Sequence, residues 1–385
     1  MARRAPASVM GRRLSGRGHG MTGAGWSILG TLSRLRGPWR GRQFGDPGRP
    51  RAISPRLTAA EAEALRVRLT PVLARLTAER AAIFRRAETE LRLKTGVAAL
   101  AGLGLGWTMG GLPGALGLAA LAAVFAVLLL AGRVQEAPRS IAKHVILNKM
   151  GQMLYGLSSV APGARAQALP LGRIDGWRLF GPVHTVTIDD RLEGLRDGQR
   201  VAVSRVGLQF GTAGNRSTEN GAGLCFVLTE ITAPEAPDDL SGALTVVVAE
   251  DAPAQARAAP GLTHGLSVSP TGDAGFDARY RVYGDAEVLG PAARAAFAGI
   301  EALARADRTA TREVAPGSGL RPWVVIRPGR LVVLTPLALF DGALEPPLLP
   351  QPLLAEALIP AFASDLASLN DHLTGALTLM KGLSR

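Results

Sequence analysis

From Thr95 to Gly132 the chain carries no charged residue, and this run limits the fold more than any other feature. At ~1.5 Å per residue, one helix of that length would reach about 55 Å, against a hydrocarbon core of ~30 Å. One straight crossing does not fit. The middle of the run reads Gly110-Gly111-Leu112-Pro113-Gly114, which breaks a helix and turns the chain. The expectation is a two-helix transmembrane hairpin over residues 95–132, with spans near 95–110 and 113–131. The first span is short, and Arg92 and Lys94 ahead of it would snorkel to the interface.

Both flanks are basic. Arg85, Arg86, Arg92 and Lys94 precede the run, Arg133, Arg139, Lys143 and Lys149 follow it, and the turn between is uncharged. By the positive-inside rule both ends, and hence both termini, are expected in the cytoplasm. Ala98, Gly102, Gly106 and Gly110 recur every four residues. Such a small-residue stripe lets helix backbones approach closely, either within the hairpin or between copies of the chain. Ala115, Ala119 and Ala123, or Ala122 and Ala126, offer a matching face on the second span. A 47% hydrophobic fraction and a mean hydropathy of +0.17 agree with a lipid-facing segment. A buried hairpin of a soluble protein is the competing reading, and basic flanks on both sides count against it.

The net charge of +13 is unevenly placed: residues 1–56 hold twelve Arg and one acid, Asp46, for a net of +11. The remainder is close to neutral, so the total is not a nucleic-acid footprint. Residues 1–56 are rich in Arg, Gly, Ser and Pro, and are expected to stay disordered because little apolar surface is available for burial. They read either as a basic tail touching anionic headgroups or as an unselected extension with Met10 or Met21 as the start.

Residues 57–94 are expected to form cytoplasmic helices. Thr58-Ala59-Ala60-Glu61 is a capping box, Leu57, Leu65, Leu69, Leu73 and Leu76 keep helical spacing, and Thr70-Pro71 is expected to restart the helix. A juxtamembrane helix follows within 133–160, carried by Ile141, Val145, Met150 and Leu154. Residues 161–385 form the largest unit. Val183–Ile188, Arg200–Phe210, Leu224–Ile231 and Ala243–Ala249 read as strands between Gly, Asp and Asn turns, and Asp277–Tyr283 alternates as a further strand. A helix starts at Pro291, Arg327-Pro328-Gly329-Arg330 turns a hairpin, and Phe362, Leu366, Leu369, Leu373, Leu377 and Met380 line a closing amphipathic helix. The class is α+β: a mixed, mainly antiparallel sheet with flanking helices, behind the hairpin.

The sequence contains no serine nucleophile elbow, phosphate loop or HExxH helix. No catalytic, cofactor-binding or metal-ligating residue is assigned. Its five His lie at 19, 144, 184, 264 and 372, without paired spacing. Asp189, Asp190 and Glu193 form the densest acidic group and read as a solvated turn after a strand, as do Asp238 and Asp239. The single Cys225 excludes an internal disulfide and reads as a small buried hydrophobe. Gly214–Gly223, with Arg216, reads as a solvated loop.

Phe276-Asp277-Ala278-Arg279-Tyr280-Arg281-Val282-Tyr283-Gly284-Asp285, followed by a helix, resembles the core signature of a bacterial family called domain of unknown function 3137. Gly223–Val227 resembles that family's Gly-Leu-aromatic strand, Leu240–Ala249 its next strand, and Trp323–Thr335 with Leu339-Phe340 its hairpin and Leu-Phe pair. The likeness covers about residues 60–380. It departs at Ala286–Pro291, where the family commonly has an acid-Ala-Arg-aromatic run. The resemblance implies a bacterial inner-membrane protein and no chemistry. Phe276, Tyr280, Val282, Tyr283 and Asp285 are its signature positions. Of these, Tyr280 and Tyr283 are expected on opposite faces, one in the core; the signature reads as packing, the alternative being that the other tyrosine lines a surface groove with Asp285.

The function expected is that of a membrane-anchored, non-enzymatic scaffold or sensor. It would meet the lipid bilayer and a protein partner at the cytoplasmic face, and neither nucleic acid nor a cofactor. Two alternatives are an envelope-associated enzyme without a recognisable motif and a lipid-binding or trafficking module.

Overall fold

The computed structural model describes residues 57–383 apart from 178, 180–182, 211–222, 237–241, 251–264, 312–320, 338–345 and 348–350, with side chains also set aside at 126–137 and a few other positions. The expectations for residues 1–56, for Asp238-Asp239 and for the loop around Arg216 lie outside the described residues.

Helix α1 runs from Ala59 to Tyr155. Its start is the expected capping box: Thr58 Oγ1 accepts from the Glu61 backbone N–H, and Glu61 Oε2 accepts from the Thr58 N–H at 2.9 Å. The expected restart at Pro71 does not occur, and the helix passes through that proline. The physical reason is the buried row Leu65, Leu69, Leu73 and Leu76, which packs in one core with Ile146, Leu147 and Met150 of the returning arm. That burial outweighs the one lost backbone bond and holds the helix on course. The true break is at Gly110 and Gly111, whose backbone leaves helical geometry; Gly111 has φ +62°, a conformation that favours glycine. Beyond it the second arm returns along the first.

A left-handed Gly156 caps α1. Short elements follow: β1 (Leu157–Ser159), α2 (Pro162–Ala168) and α3 (Leu171–Asp175). Then come β2 (Val183–Arg196), β3 (Gln199–Phe210), β4 (Gly223–Thr232), β5 (Thr245–Ala249), α4 (Ala274–Asp277), β6 (Tyr280–Tyr283), α5 (Pro291–Thr311), β7 (Trp323–Arg327), β8 (Arg330–Leu337) and α6 (Ala355–Gly382). The eight strands make one sheet in the order β1-β2-β3-β4-β8-β7-β5-β6. Every described pairing is antiparallel, so the expected mixed sheet is corrected to an antiparallel one. Among the described residues no parallel strands are neighbours: β6 and β7, connected through α5, run parallel but are separated by β5.

The class is thus α+β. Helix α6 covers one face of the sheet, burying Phe362, Leu366, Leu369 and Leu373 as the spacing predicts. The hairpin at Pro328-Gly329 forms as expected, with Gly329 at φ +65°. The strand expected over Asp277–Tyr283 shortens to Tyr280–Tyr283, because Asp273 caps α4 by accepting from the Phe276 N–H at 3.0 Å.

Candidate functional site

Among the described residues one helical stretch, Ala59–Phe125, is long and apolar enough to cross a membrane. Its side chains are sorted in reverse of a soluble helix pair. Gly102, Gly106, Ala115 and Ala119 are buried between the arms. A Cβ on Gly106 would lie 2.5 Å from Ala115 Cα and closer still to the Gly114 carbonyl, and one on Gly102 would lie 2.8 Å from Ala119 Cα. Of the expected stripe, Gly102 and Gly106 make the close approach, Ala98 is half-buried, and Gly110 forms the break instead. Large apolar side chains point outward: Leu100 is 69% exposed, Trp107 63% and Met109 76%.

Below this tip, three groups bind the chain segment ahead of α6 to the arms. Arg80 donates to the Pro347 carbonyl, Arg139 Nε to the Pro346 carbonyl at 2.9 Å, and the Leu353 N–H to Thr77 Oγ1 at 3.1 Å.

Further from the tip, α1 meets the sheet through charge. Lys143 is only 3% exposed, and its Nζ lies 2.9 Å from Asp189 Oδ1 and 3.0 Å from Asp190 Oδ1. Asp189, Asp190 and Glu193 are therefore not the solvated turn expected from the sequence; they lie inside β2. A bulge between Ile188 and Asp190 inserts Asp189 as an extra residue. Successive strand residues normally point to opposite faces, and the bulge lets both carboxylates reach one ammonium. Arg165 donates to the Asp189 carbonyl, and Arg205 Nη2 lies 4.0 Å from Asp365 of α6. Burial pushes the Asp190 carboxyl up to about 7, with Asp189 adding to the rise and Lys143 and Arg205 opposing it. For Asp189 burial acts in the same sense, but Lys143, Arg205 and Arg165 bring it below the usual carboxylate range.

The next residue, Arg191, points through the other face of the sheet. Its Nη1 pairs with Glu230 Oε2 at 2.6 Å and its Nε with Glu193 Oε1 at 2.6 Å, while Arg173 of α3 reaches Glu230 Oε1 at 2.7 Å. These groups form the inner wall of an open furrow of about 700 Å³, whose outer part is lined by Arg200 and Arg330. Charge thus passes through the sheet in two adjacent residues of β2. Sequence reading missed both halves.

The signature residues serve packing. Phe276 stacks on Tyr280 at 4.7 Å, and Phe297 meets both rings edge-on. The Tyr280 hydroxyl donates to Glu301 and is held far above its usual range, first by burial and then by that bond. Val282 is buried and Tyr283 half-buried. The Asp285 carboxylate accepts from the Glu287 N–H at 2.9 Å and fixes a turn. Cys225 is half-buried in β4, not enclosed. Among the described residues no group of three His, Cys, Asp or Glu is placed to hold a metal ion.

No family model matches the chain, and no curated protein or solved structure matches it.

The raised Asp190 carboxyl gives a pH signature. Unfolded, it loses its proton near pH 4; folded, it keeps the proton to about pH 7. Between those values the folded state binds more protons, so stability falls as pH rises and levels off above 7, by up to about 4 kcal/mol. Thermal unfolding of the full chain in detergent micelles is expected to show this decline, and Asp190→Asn is expected to flatten it. An unchanged slope in the variant would place the proton elsewhere.

Proposed function

We propose that this protein is a membrane-anchored scaffold or sensor without chemistry of its own. The tip of α1 would enter the bilayer as two spans, first near 95–110 and then near 113–131, and present the α+β domain on the cytoplasmic side. The observation that carries the reading is the sorting of side chains at the tip, with glycine and alanine between the arms and large apolar groups outward. In water that arrangement exposes the surface that should be hidden; in lipid it is the favourable one, since close backbone packing and not apolar burial joins the helices.

Two further features support it. Basic residues flank both ends of the uncharged run. The arms continue as helix into the sheet domain, where Lys143 is fastened to β2. Such a connection suits a domain that must keep a fixed attitude to the membrane or pass on a shift of the arms. The bacterial inner membrane is the setting that the family resemblance implies, and a protein partner at its inner face is the partner proposed.

Single cysteines at Leu112 and Ser384, in a Cys225→Ser background, test the topology in intact bacterial cells. An impermeant thiol reagent is expected to label position 112 and spare 384. Labelling at 384 would reverse the orientation, and protection of both would deny that the turn reaches the outer side.

A further inference from the structure

The structure assigns to the furrow on the open face of the sheet a binding site for a soluble, phosphate-bearing small molecule. This goes beyond the anchoring role, and only the choice of a soluble ligand over a lipid headgroup rests on that role.

The site is built by register. Arg200 of β3 pairs with Thr232 of β4, and Thr232 with Arg330 of β8, so the three share one face in a row across the sheet. Two guanidiniums therefore flank one hydroxyl, their Cα atoms about 10 Å apart, two strand spacings. Side chains as long as arginine converge over that distance on a single tetrahedral anion, which they grip through paired N–H donors. Two residues along, Glu193 and Glu230 stand on the same face, and they already hold Arg191 and Arg173. This wall, buried at Arg191 and Glu230 and open at Arg173 and Glu193, holds its arginines in ion pairs and offers carboxylate oxygens to hydroxyl or amino donors of a ligand.

The charge is matched to a dianion. Four Arg against two Glu leave the lining at +2, and a phosphate monoester carries about −1.5 to −2 at neutral pH. The volume of about 700 Å³ lies within the roughly 300–1,000 Å³ usual for small-molecule sites. A sugar phosphate or a nucleotide fits both the size and the mixture of donors and acceptors.

A lipid headgroup offers the same phosphate, but the furrow stands away from the bilayer. Its lining residue Gly194 pairs with Leu157, just past the end of α1 at Tyr155. From Gly132, where the uncharged run ends, α1 continues for about 35 Å to that point. The ligand assigned is therefore soluble.

The test is calorimetric titration of the full chain, in nanodiscs of phosphatidylcholine, with inorganic phosphate, pyrophosphate and adenosine monophosphate. Saturable binding of at least one is expected. Arg200→Ala, at an exposed position, is expected to weaken it about tenfold, the usual scale of one charge-assisted contact. Glu193→Gln raises the lining charge and is expected to tighten binding several-fold; a merely structural furrow would not give that opposite response. Circular dichroism verifies that both variants fold. Absence of saturable binding up to about 10 mM, an affinity too weak to matter, would overturn the assignment, and so would equal affinity in wild type and both variants. Competition by phosphatidic acid added to the nanodiscs would overturn the soluble source in favour of a headgroup.

Discussion

Gly106→Leu is expected to force the two arms of α1 apart. A Cβ at this position would lie 2.5 Å from Ala115 Cα and closer to the Gly114 carbonyl. Both obstacles are backbone, so no side chain can swing aside, and the leucine adds three further carbons. Overpacking a fitted core costs about 1–3 kcal/mol when neighbours can adjust; here about 3 kcal/mol or more is expected. Gly104→Leu is the control, because a Cβ there meets nothing within 4 Å. It has the same residue change two positions away, and is expected to be neutral in lipid. Spin labels on the outward-facing Leu100 and Leu121 would read the separation of the arms. A longer, broader distance with Gly106→Leu and an unchanged one with Gly104→Leu are expected. Equal distances in both would mean that the glycines do not set the approach.

Lys143→Met should be the most damaging single change in the sheet domain. It leaves Asp190, fully buried, with its nearest cation gone. Removing one partner of a buried pair costs about 3–5 kcal/mol, because the other charge stays behind without compensation. Asp190 escapes part of that by keeping its proton, so the deficit should shrink at pH 5 and grow at pH 8. Adding Asp190→Asn to the lysine variant removes the stranded charge and should recover most of the loss; the cycle of single and double variants measures the coupling. Chemical unfolding of the four proteins at the two pH values gives the answer. Additive losses would show that the pair contributes nothing beyond its separate members.

The local periods of the sequence were enough for most elements. Apolar alternation located β3, β4 and β5 to within two residues, and helical spacing located α6. The Gly110-Gly111 break was legible because glycine, and a proline soon after, admit few conformations. Pro71 was misread by the same rule, since its cost is small beside the leucine row that holds the arm. The charged seam was illegible for a different reason. Acids are disfavoured in strands, so Asp189 and Asp190 signalled a turn; only the cation brought from α1, 46 residues earlier, makes them a strand. One clue was present. Lys143 precedes Ile146, Leu147 and Met150 at spacings of three, four and seven, which places an ammonium on an apolar helix face. The furrow had no such clue, because Arg200, Thr232 and Arg330 come together only by strand register.

The sheet's outermost strands, β1 and β6, have three and four residues, whereas β2 and β3 inside have fourteen and twelve. β1 follows directly from the capped end of α1, and β6 is met by a bridge from Val268. Anchored as proposed, many copies would share a thin layer, where neighbours collide far more often than in bulk and a long bare edge would recruit the next copy strand by strand. β1 pairs with only Leu192–Gly194 of the fourteen-residue β2; beyond it the Val160 N–H takes the Arg191 carbonyl and Arg165 takes that of Asp189, so loop and side chain blunt the edge where the border strand stops. If the chain is anchored as proposed, association between copies would run through side chains more than through strand pairing.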